Sequence, residues 1–302
     1  MLKPLPNSHL MADLASHREP DGTVVPERLF LSADLRRLGW TRRDIRRAVE
    51  TDRLVALRRG SFLPAGTRPE VVAAARERGR LACISALDHA GVFVLRRSSA
   101  HLHFERGTSK HSPSGPTEVW HWRPLVRPPH PRATSVGVID ALIQATACQS
   151  PRAAIATLDS ALYKKLLSTD DLDEIFENVP ARRRVIRRLL DGRAESGPES
   201  LVRLMALALG FEVELQVRIR GVGRVDLLLD GWLIVECDSA AFHTGWESQK
   251  SDRRRDLAAA ALGYTSIRPI AEDILYRPEQ VIAALRGLRD ARAAGGSSPR
   301  RA

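Results

Sequence analysis

Aromatic side chains make up only 5% of the 302 residues, and there are three cysteines, Cys83, Cys148 and Cys237. The cysteines are scattered among apolar neighbours with no CxxC spacing. That pattern fits reduced, buried thiols better than a disulfide framework or a zinc set, and makes redox chemistry an unexpected role. No run of about 18 apolar residues occurs, so no membrane-spanning helix is expected. The opening MLKPLPNSHLMADLASHREPDG lacks a charged start followed by an apolar core and a small-residue cleavage site. The expectation is therefore a cytoplasmic protein without a membrane partner.

What the chain does have is positive charge. Its formal net charge is +11, and arginine clusters at residues 42–47, 182–188 and 253–255. Such patches attract polyanions, of which nucleic acid is the usual intracellular one. A solvated arginine-rich surface gives the same composition, so placement has to decide between the two. The length suffices for two or three domains, each burying its own core.

Residues 1–28 carry Pro4, Pro6, Pro20, Gly22 and Pro26 without sustained periodicity and read as a loosely ordered lead-in. Structure is expected from Leu29. Ser32 caps a short helix bearing Leu35 and Leu38, Gly39 ends it, and Thr41 opens a second helix with Asp44 in the capping-box position. The second helix buries Ile45, Ala48 and Val49 and turns Arg42, Arg43, Arg46 and Arg47 outward. LVALRRGSFLP then reads as strand, turn and strand, with Arg58 and Arg59 at the tip. Helix, turn, basic helix and wing is the plan by which a winged helix-turn-helix sets its second helix in the major groove and its wing arginines on phosphate. Residues 29–66 resemble the N-terminal domain of AbiEi-type antitoxins of type IV toxin–antitoxin systems. The likeness is carried by Leu35, Leu38, Gly39, Arg42, Arg43, Ile45, Arg46, Arg47, Arg53, Leu54, Leu57, Arg59, Gly60 and Phe62, with Asp52 where that pattern often has glycine. The resemblance implies DNA as the partner; modules of this plan also serve as protein-interaction domains.

Residues 67–192 read as a mixed α+β middle region. Glu70 to Val94 is helical by period, and His101–Phe104 and Thr117–Trp122 read as short strands flanking the loop GTSKHSPSGP. Helices are expected at Val138–Cys148, Arg152–Leu166, Thr169–Asn178 and Ala181–Leu190. SALDHAGV and VIDALIQA weakly resemble the continuation of the AbiEi-like chain. His101, His103, His111, His121 and His130 have neither metal-ligand spacing nor a cysteine nearby in sequence, and are read as surface or packing histidines.

After DGRAESGP a last domain spans 194–290. It comprises a helix at Ser196–Gly210, an alternating strand at Phe211–Arg220, and the strands RVDLLL and WLIVECD around Asp230-Gly231. Asp226, Glu236 and Asp238 sit among Val, Leu and Ile, where an isolated carboxylate is costly. A two-residue turn would oppose Leu229 to Trp232 and split Asp226 from Glu236. A three-residue loop would oppose Leu228 to Trp232 and Asp226 to Ile234, bringing Asp226 diagonal to Glu236 on one face. The other face would then be wholly apolar: Val225, Leu227, Leu229, Leu233, Val235 and Cys237. The second arrangement, or a local bulge, is the expectation. Converging carboxylates suit Mg²⁺ or Mn²⁺, with His243 placed to move a proton and no small-molecule cofactor implied. Pairing of Asp226 and Asp238 with Arg224 or Arg253 is the bland alternative.

Glu199, Asp226, Glu236-Cys237-Asp238, AFHTGW, DRRRD, LGYTSIRP and AEDI together resemble the DUF559 family. That family is related to very-short-patch-repair (Vsr) endonucleases of the PD-(D/E)xK superfamily. The resemblance implies a restriction-endonuclease-like αβ domain that cleaves phosphodiesters, with Asp226 and Glu236 as metal-binding acids. It also implies Glu199 as a supporting acid, His243 as a catalytic histidine, and Asp252, Arg253, Arg255 and Asp256 as the family's helix start. Asp252 is then a candidate N-cap, and an arginine of the run either binds the scissile phosphate or bridges sheet to helix. Asp238 replaces the superfamily's E-x-K lysine, so a nucleic-acid-binding domain that has lost cleavage stays open, as does Lys250 or Arg253 standing in. Pro278–Arg289 reads as a closing helix, and residues 291–302 as a disordered basic tail.

Overall fold

A computed structural model describes residues 28–108, 118–237 and 246–295. Asp238, His243 and His111, residues 1–27 of the lead-in, and the last residues of the tail lie outside them. The architecture is mixed α+β, built as two compact units. One comprises residues 1–149 and 166–185, the other residues 150–165 and 186–302.

In the first unit, β1 (Phe30–Leu31), β2 (Leu54–Arg58) and β3 (Ser61–Pro64) form an antiparallel sheet in the order β1-β3-β2. Helices α1 (Ser32–Arg37) and α2 (Arg42–Glu50) lie between β1 and β2 in sequence. Thr41 Oγ1 accepts from Asp44 N at 3.1 Å while Thr41 N donates to Asp44 Oδ2 at 2.8 Å, the expected capping box. Ser32 lies inside α1 instead of capping it; Leu31 is the N-cap, and its N–H donates to Asp34 Oδ2. Phe30, Leu35, Trp40, Ile45, Ala48, Leu54 and Phe62 form one core. Asp52 has φ +49°, the left-handed conformation that favours glycine and that aspartate tolerates.

The helix expected from Glu70 to Val94 is two helices, α3 (Pro69–Arg76) and α4 (Cys83–His89), split by β4 (Arg80–Leu81). Left-handed Arg78 and the Gly79 N–H bonded to Ala74 O close α3. A Cβ at Gly79 would come within 2.9 Å of the Phe104 ring, so the break sits where only glycine fits. A second sheet runs β4-β5-β6, where β5 (Ala100–His103) pairs antiparallel with β4 and parallel with β6 (Glu118–His121). Helix α5 (Val138–Cys148) packs on α4, and α7 (Thr169–Asn178) packs on α5.

The second unit begins with α6 (Pro151–Tyr163), which packs on α9 (Gly197–Ala208). Between them in sequence, residues 166–185 belong to the first unit and end with α8 (Ala181–Arg184), and a 3₁₀ turn over Val185–Leu189 follows. The sheet order is β10-β9-β8-β7, with β7 (Val213–Ile219), β8 (Gly223–Leu229) and β9 (Leu233–Val235) antiparallel in turn. Strand β10 (Thr265–Ile267) runs parallel to β9 after a crossover through α10 (Trp246–Ala261). Helices α11 (Ala271–Tyr276) and α12 (Pro278–Gly295) close the unit. The expected tail starting at residue 291 is thus helical as far as Gly295. Asp252 lies within α10, so it is not an N-cap.

The β8–β9 loop is three residues as expected, but it is Asp230 to Trp232, one residue further along, so each pairing partner shifts by two. Leu229 pairs with Leu233, Leu228 with Ile234 and Leu227 with Val235. The cause lies on a third strand: Leu229 also pairs with Val213, and Asp230 exchanges bonds with Glu212, N to O at 2.9 Å and Oδ1 from N at 2.7 Å. These hold Leu229 in the ladder and place both Asp230 (φ +47°) and Gly231 (φ +68°) in the left-handed region.

Candidate functional site

Because Leu227 is opposite Val235, the next residues outward, Asp226 and Glu236, face each other across the two strands and share a side. They are directly opposed where a diagonal was expected. The other side carries Val225, Leu227, Leu229, Leu233 and Val235, all fully buried, as the alternation requires. Glu236 follows the carboxyl end of β9, and its N–H donates to Ile267 O, continuing the parallel pairing. The carboxyl ends of parallel strands are where open α/β sheets gather ligands.

Each acid is half-buried and held by different means. Asp226 Oδ2 accepts from Cys237 N at 2.8 Å, and among the described residues Asp226 makes no ion pair. Glu236 Oε1 accepts from Arg255 Nη2 at 2.7 Å and lies 3.8 Å from Arg268 Nη2; Arg255 also donates to the carbonyls of Val222 and Arg224. Arg268 is further paired with Asp256 at 2.9 Å. Of the two roles open to the arginine run, sheet-to-helix bridging is therefore the one Arg255 fills. Arg253 is exposed on α10, and Arg224 pairs with Glu195 at 2.7 Å, not with Asp226.

Glu199 is buried at 5% exposure in the first turn of α9. Its N–H donates to Ser196 Oγ, and its Oε2 accepts from Glu195 N at 2.9 Å and from Gln216 Nε2 at 2.8 Å. Gln216 went unnoticed in the sequence because it is an unremarkable polar residue in the alternation of β7. It sits opposite Asp226 between the Leu215–Leu227 and Val217–Val225 pairs, with φ +56° and a buried Oε1 that has no hydrogen-bond partner. Left-handed backbone at a non-glycine strand position is costly and persists only where its surroundings fix it.

Burial pushes the carboxyls of Glu199, Asp226 and Glu236 above the usual range. Repulsion from Asp226 adds to the shift at both Glu199 and Glu236, while Arg255 opposes it at Glu236. Two opposed carboxylates that repel each other offer the hard oxygen donors a divalent cation prefers, so the residues present fit Mg²⁺ or Mn²⁺ on Asp226 and Glu236. Among the described residues, the acids do not gather three ligand oxygens within 4.8 Å of one another.

In the first unit, Arg42, Arg43, Arg46, Arg47 and Arg59 are exposed. Arg36, Arg42, Arg46 and Arg59 line an open groove of about 700 Å³ with Ile45, Val49 and Phe62. Arg58 is different: its Nη1 donates to Ala75 O at 2.8 Å, and burial lowers its pKa.

The same unit holds a cluster of cysteines and histidines, in which Cys148 is exposed and not buried as expected. Cys83, His101, His121 and Cys148 bring one ligand atom each within 4.8 Å of one another, the only such set of three or more among the described residues. Hydrogen bonds from Cys83 and His101 hold the Cys148 thiol down to about 4; burial and the neighbouring His101 ring hold His121 at about 4. Residues 83 and 148 are far apart in sequence; the packing of α4 on α5 brings the two cysteines together, and β5 and β6 supply the histidines.

No protein-family model matches the chain. Two uncharacterized proteins of Mycobacterium tuberculosis, from two strains, are each 34% identical to it over 157 residues. The match covers 48% of this chain and 58% of each relative's length.

Proposed function

We propose that the protein is a metal-dependent DNA endonuclease. On this reading residues 29–66 act as a winged helix-turn-helix on DNA, and residues 194–290 as a Vsr-like PD-(D/E)xK domain that hydrolyses phosphodiester bonds. The observation that carries it is the Leu227–Val235 pairing, which sets the next residues, Asp226 and Glu236, on one side of the sheet at the carboxyl end of β9. Asp226 and Glu236 would hold Mg²⁺ or Mn²⁺, which when bound polarises a phosphoryl group and lowers the pKa of water. Gln216 and Glu199 brace the strand opposite Asp226, and Cys237 N fixes one carboxylate oxygen so that the other points away from that bond. His243 is the candidate proton carrier. The exposed Arg42, Arg46 and Arg59 offer phosphate contacts that position the duplex.

The Arg255–Glu236 ion pair favours a second reading, a DNA-binding regulator of antitoxin type whose nuclease fold has lost cleavage. Nicking of supercoiled plasmid in Mg²⁺ or Mn²⁺ separates the two. The endonuclease reading expects nicking by the native chain and a loss of about 100-fold or more in Asp226→Ala. Stable binding to DNA with no nicking in either metal would establish the regulator.

A further inference from the structure

We propose that Cys83, His101, His121 and Cys148 form a structural Zn²⁺ site of Cys₂His₂ type in the first unit. His101 Nδ1 lies 3.1 Å from His121 Nε2 and 3.9 Å from Cys148 Sγ, and all four ligand atoms fall within 4.8 Å of one another. Tetrahedral zinc, with Zn–N near 2.0–2.1 Å and Zn–S near 2.3 Å, sets neighbouring ligand atoms about 3.3 Å (N to N) to about 3.6 Å (N to S) apart. The His101–His121 and His101–Cys148 separations stand close to those edges, and the other separations are all within 4.8 Å. Two thiols and two imidazoles are the soft set that selects zinc over the oxygen-seeking cations fitted to Asp226 and Glu236.

Each ligand is delivered by a separate element and anchored there. Cys83 opens α4 with φ +49°, and its N–H donates to Gln144 Oε1 at 2.9 Å. Gln144 and Cys148 are one turn apart on α5, so the helix that pins Cys83 also presents the second thiol. His101 N donates to Ser85 Oγ at 2.9 Å, and the parallel β5–β6 register, His101 to Val119 and His103 to His121, sets the two rings 5.3 Å apart, stacked. A buried non-glycine residue at positive φ beside three convergent ligands is the strain expected where a site over-determines the backbone. Four protein ligands fill the tetrahedron, so the site holds the fold together and leaves no position for substrate. Cys148 lies at the exposed edge, which gives the ion an entry path.

The site does not rest on the endonuclease reading; its ligands and its test are separate. The test is metal analysis of the full chain, purified without a metal-binding tag under reducing conditions. About one zinc per chain is expected, unchanged in Cys237→Ser and falling to about one tenth or less in Cys148→Ser and His121→Ala. Because those variants could misfold, the native chain is also stripped with chelator and reloaded with Co²⁺. The visible absorption of tetrahedral cobalt thiolate should appear and be abolished by one equivalent of Zn²⁺. A native chain that purifies metal-free and takes up neither Zn²⁺ nor Co²⁺ overturns the proposal, as does a Cys83–Cys148 disulfide in place of two titratable thiols.

Discussion

Arg255 Nη2 lies 2.7 Å from Glu236 Oε1 and 2.6 Å from the carbonyl of Arg224, so one guanidinium ties α10 to the ends of both acid-bearing strands. Arg255→Ala leaves Glu236 half-buried opposite Asp226 without its main cation. A loss of about 1.5–3 kcal/mol is expected in urea unfolding, the range for hydrogen bonds to charged groups. Millimolar Mg²⁺ should restore more stability to this variant than to the native chain, since a cation that binds only the folded state stabilises it by linkage. Equal responses of the two proteins to Mg²⁺ would argue against a cation site at Glu236.

Asp226 carries a cost that depends on pH. Burial raises its pKa in the folded state above the unfolded value, so its ionisation opposes folding. The stability that comes with its neutral form is complete below the ordinary carboxylate pKa and lost as pH rises through the folded value. Asp226→Asn should therefore melt higher than the native chain at pH 7. The gap should shrink as pH falls through and below the raised value, because the native residue is then protonated too. Thermal melts at pH 4 and pH 7 check this. A variant less stable than the native chain at pH 7 contradicts it.

Arg203 and Asp159 form a buried pair in the second unit, 2.8 Å apart, with side-chain exposures of 6% and 0%. Asp159 also accepts from Asp191 N, and Arg203 donates to Leu189 O, so the pair fixes the turn leading into α9. Removing one partner strands the other charge in the interior. Arg203→Ala is expected to cost about 3–5 kcal/mol, read from denaturant midpoints.

DNA affinity should separate the arginines of the first unit into two groups. Replacing Arg42, Arg46 or Arg59 with alanine is expected to weaken binding uniformly across sequences. Removing one arginine–phosphate interaction should make the slope of log affinity against log salt shallower by about 0.9. Arg58→Ala should leave that slope unchanged and instead cost about 1 kcal/mol of stability, since its guanidinium is committed to Ala75 O. Fluorescence anisotropy over a salt series measures the slopes, and urea unfolding measures the stability of Arg58→Ala.

Local chemistry was readable from the chain and long-range chemistry was not. The Thr41–Asp44 box needs only residues three apart, and the all-apolar side of β8 and β9 follows from strict alternation; both are where the sequence put them. The loop register turned on bonds from Asp230 to Glu212 on a third strand, which no pattern within the hairpin reveals. Asp252 looked like a cap because it precedes the arginine run, yet the helix starts at Trp246. The Cys83–His101–His121–Cys148 cluster was invisible for a stronger reason. Its members come from two helices and two strands, and a parallel β5–β6 pairing leaves no short spacing to recognise.

The crossover that makes β9 and β10 parallel also orders events in time. β7, β8 and β9 are successive antiparallel neighbours and close over short loops, whereas β10 reaches β9 only after α10 has been made and docked. Non-local pairing of that kind is the slow step of chain collapse. A nascent chain that has emerged only as far as Cys237 already carries Asp226 and Glu236 on adjacent strands, yet Arg255 and Arg268 are still to come. At that point the acids lack the arginines that later pair with Glu236, and only Arg224 acts on Asp226.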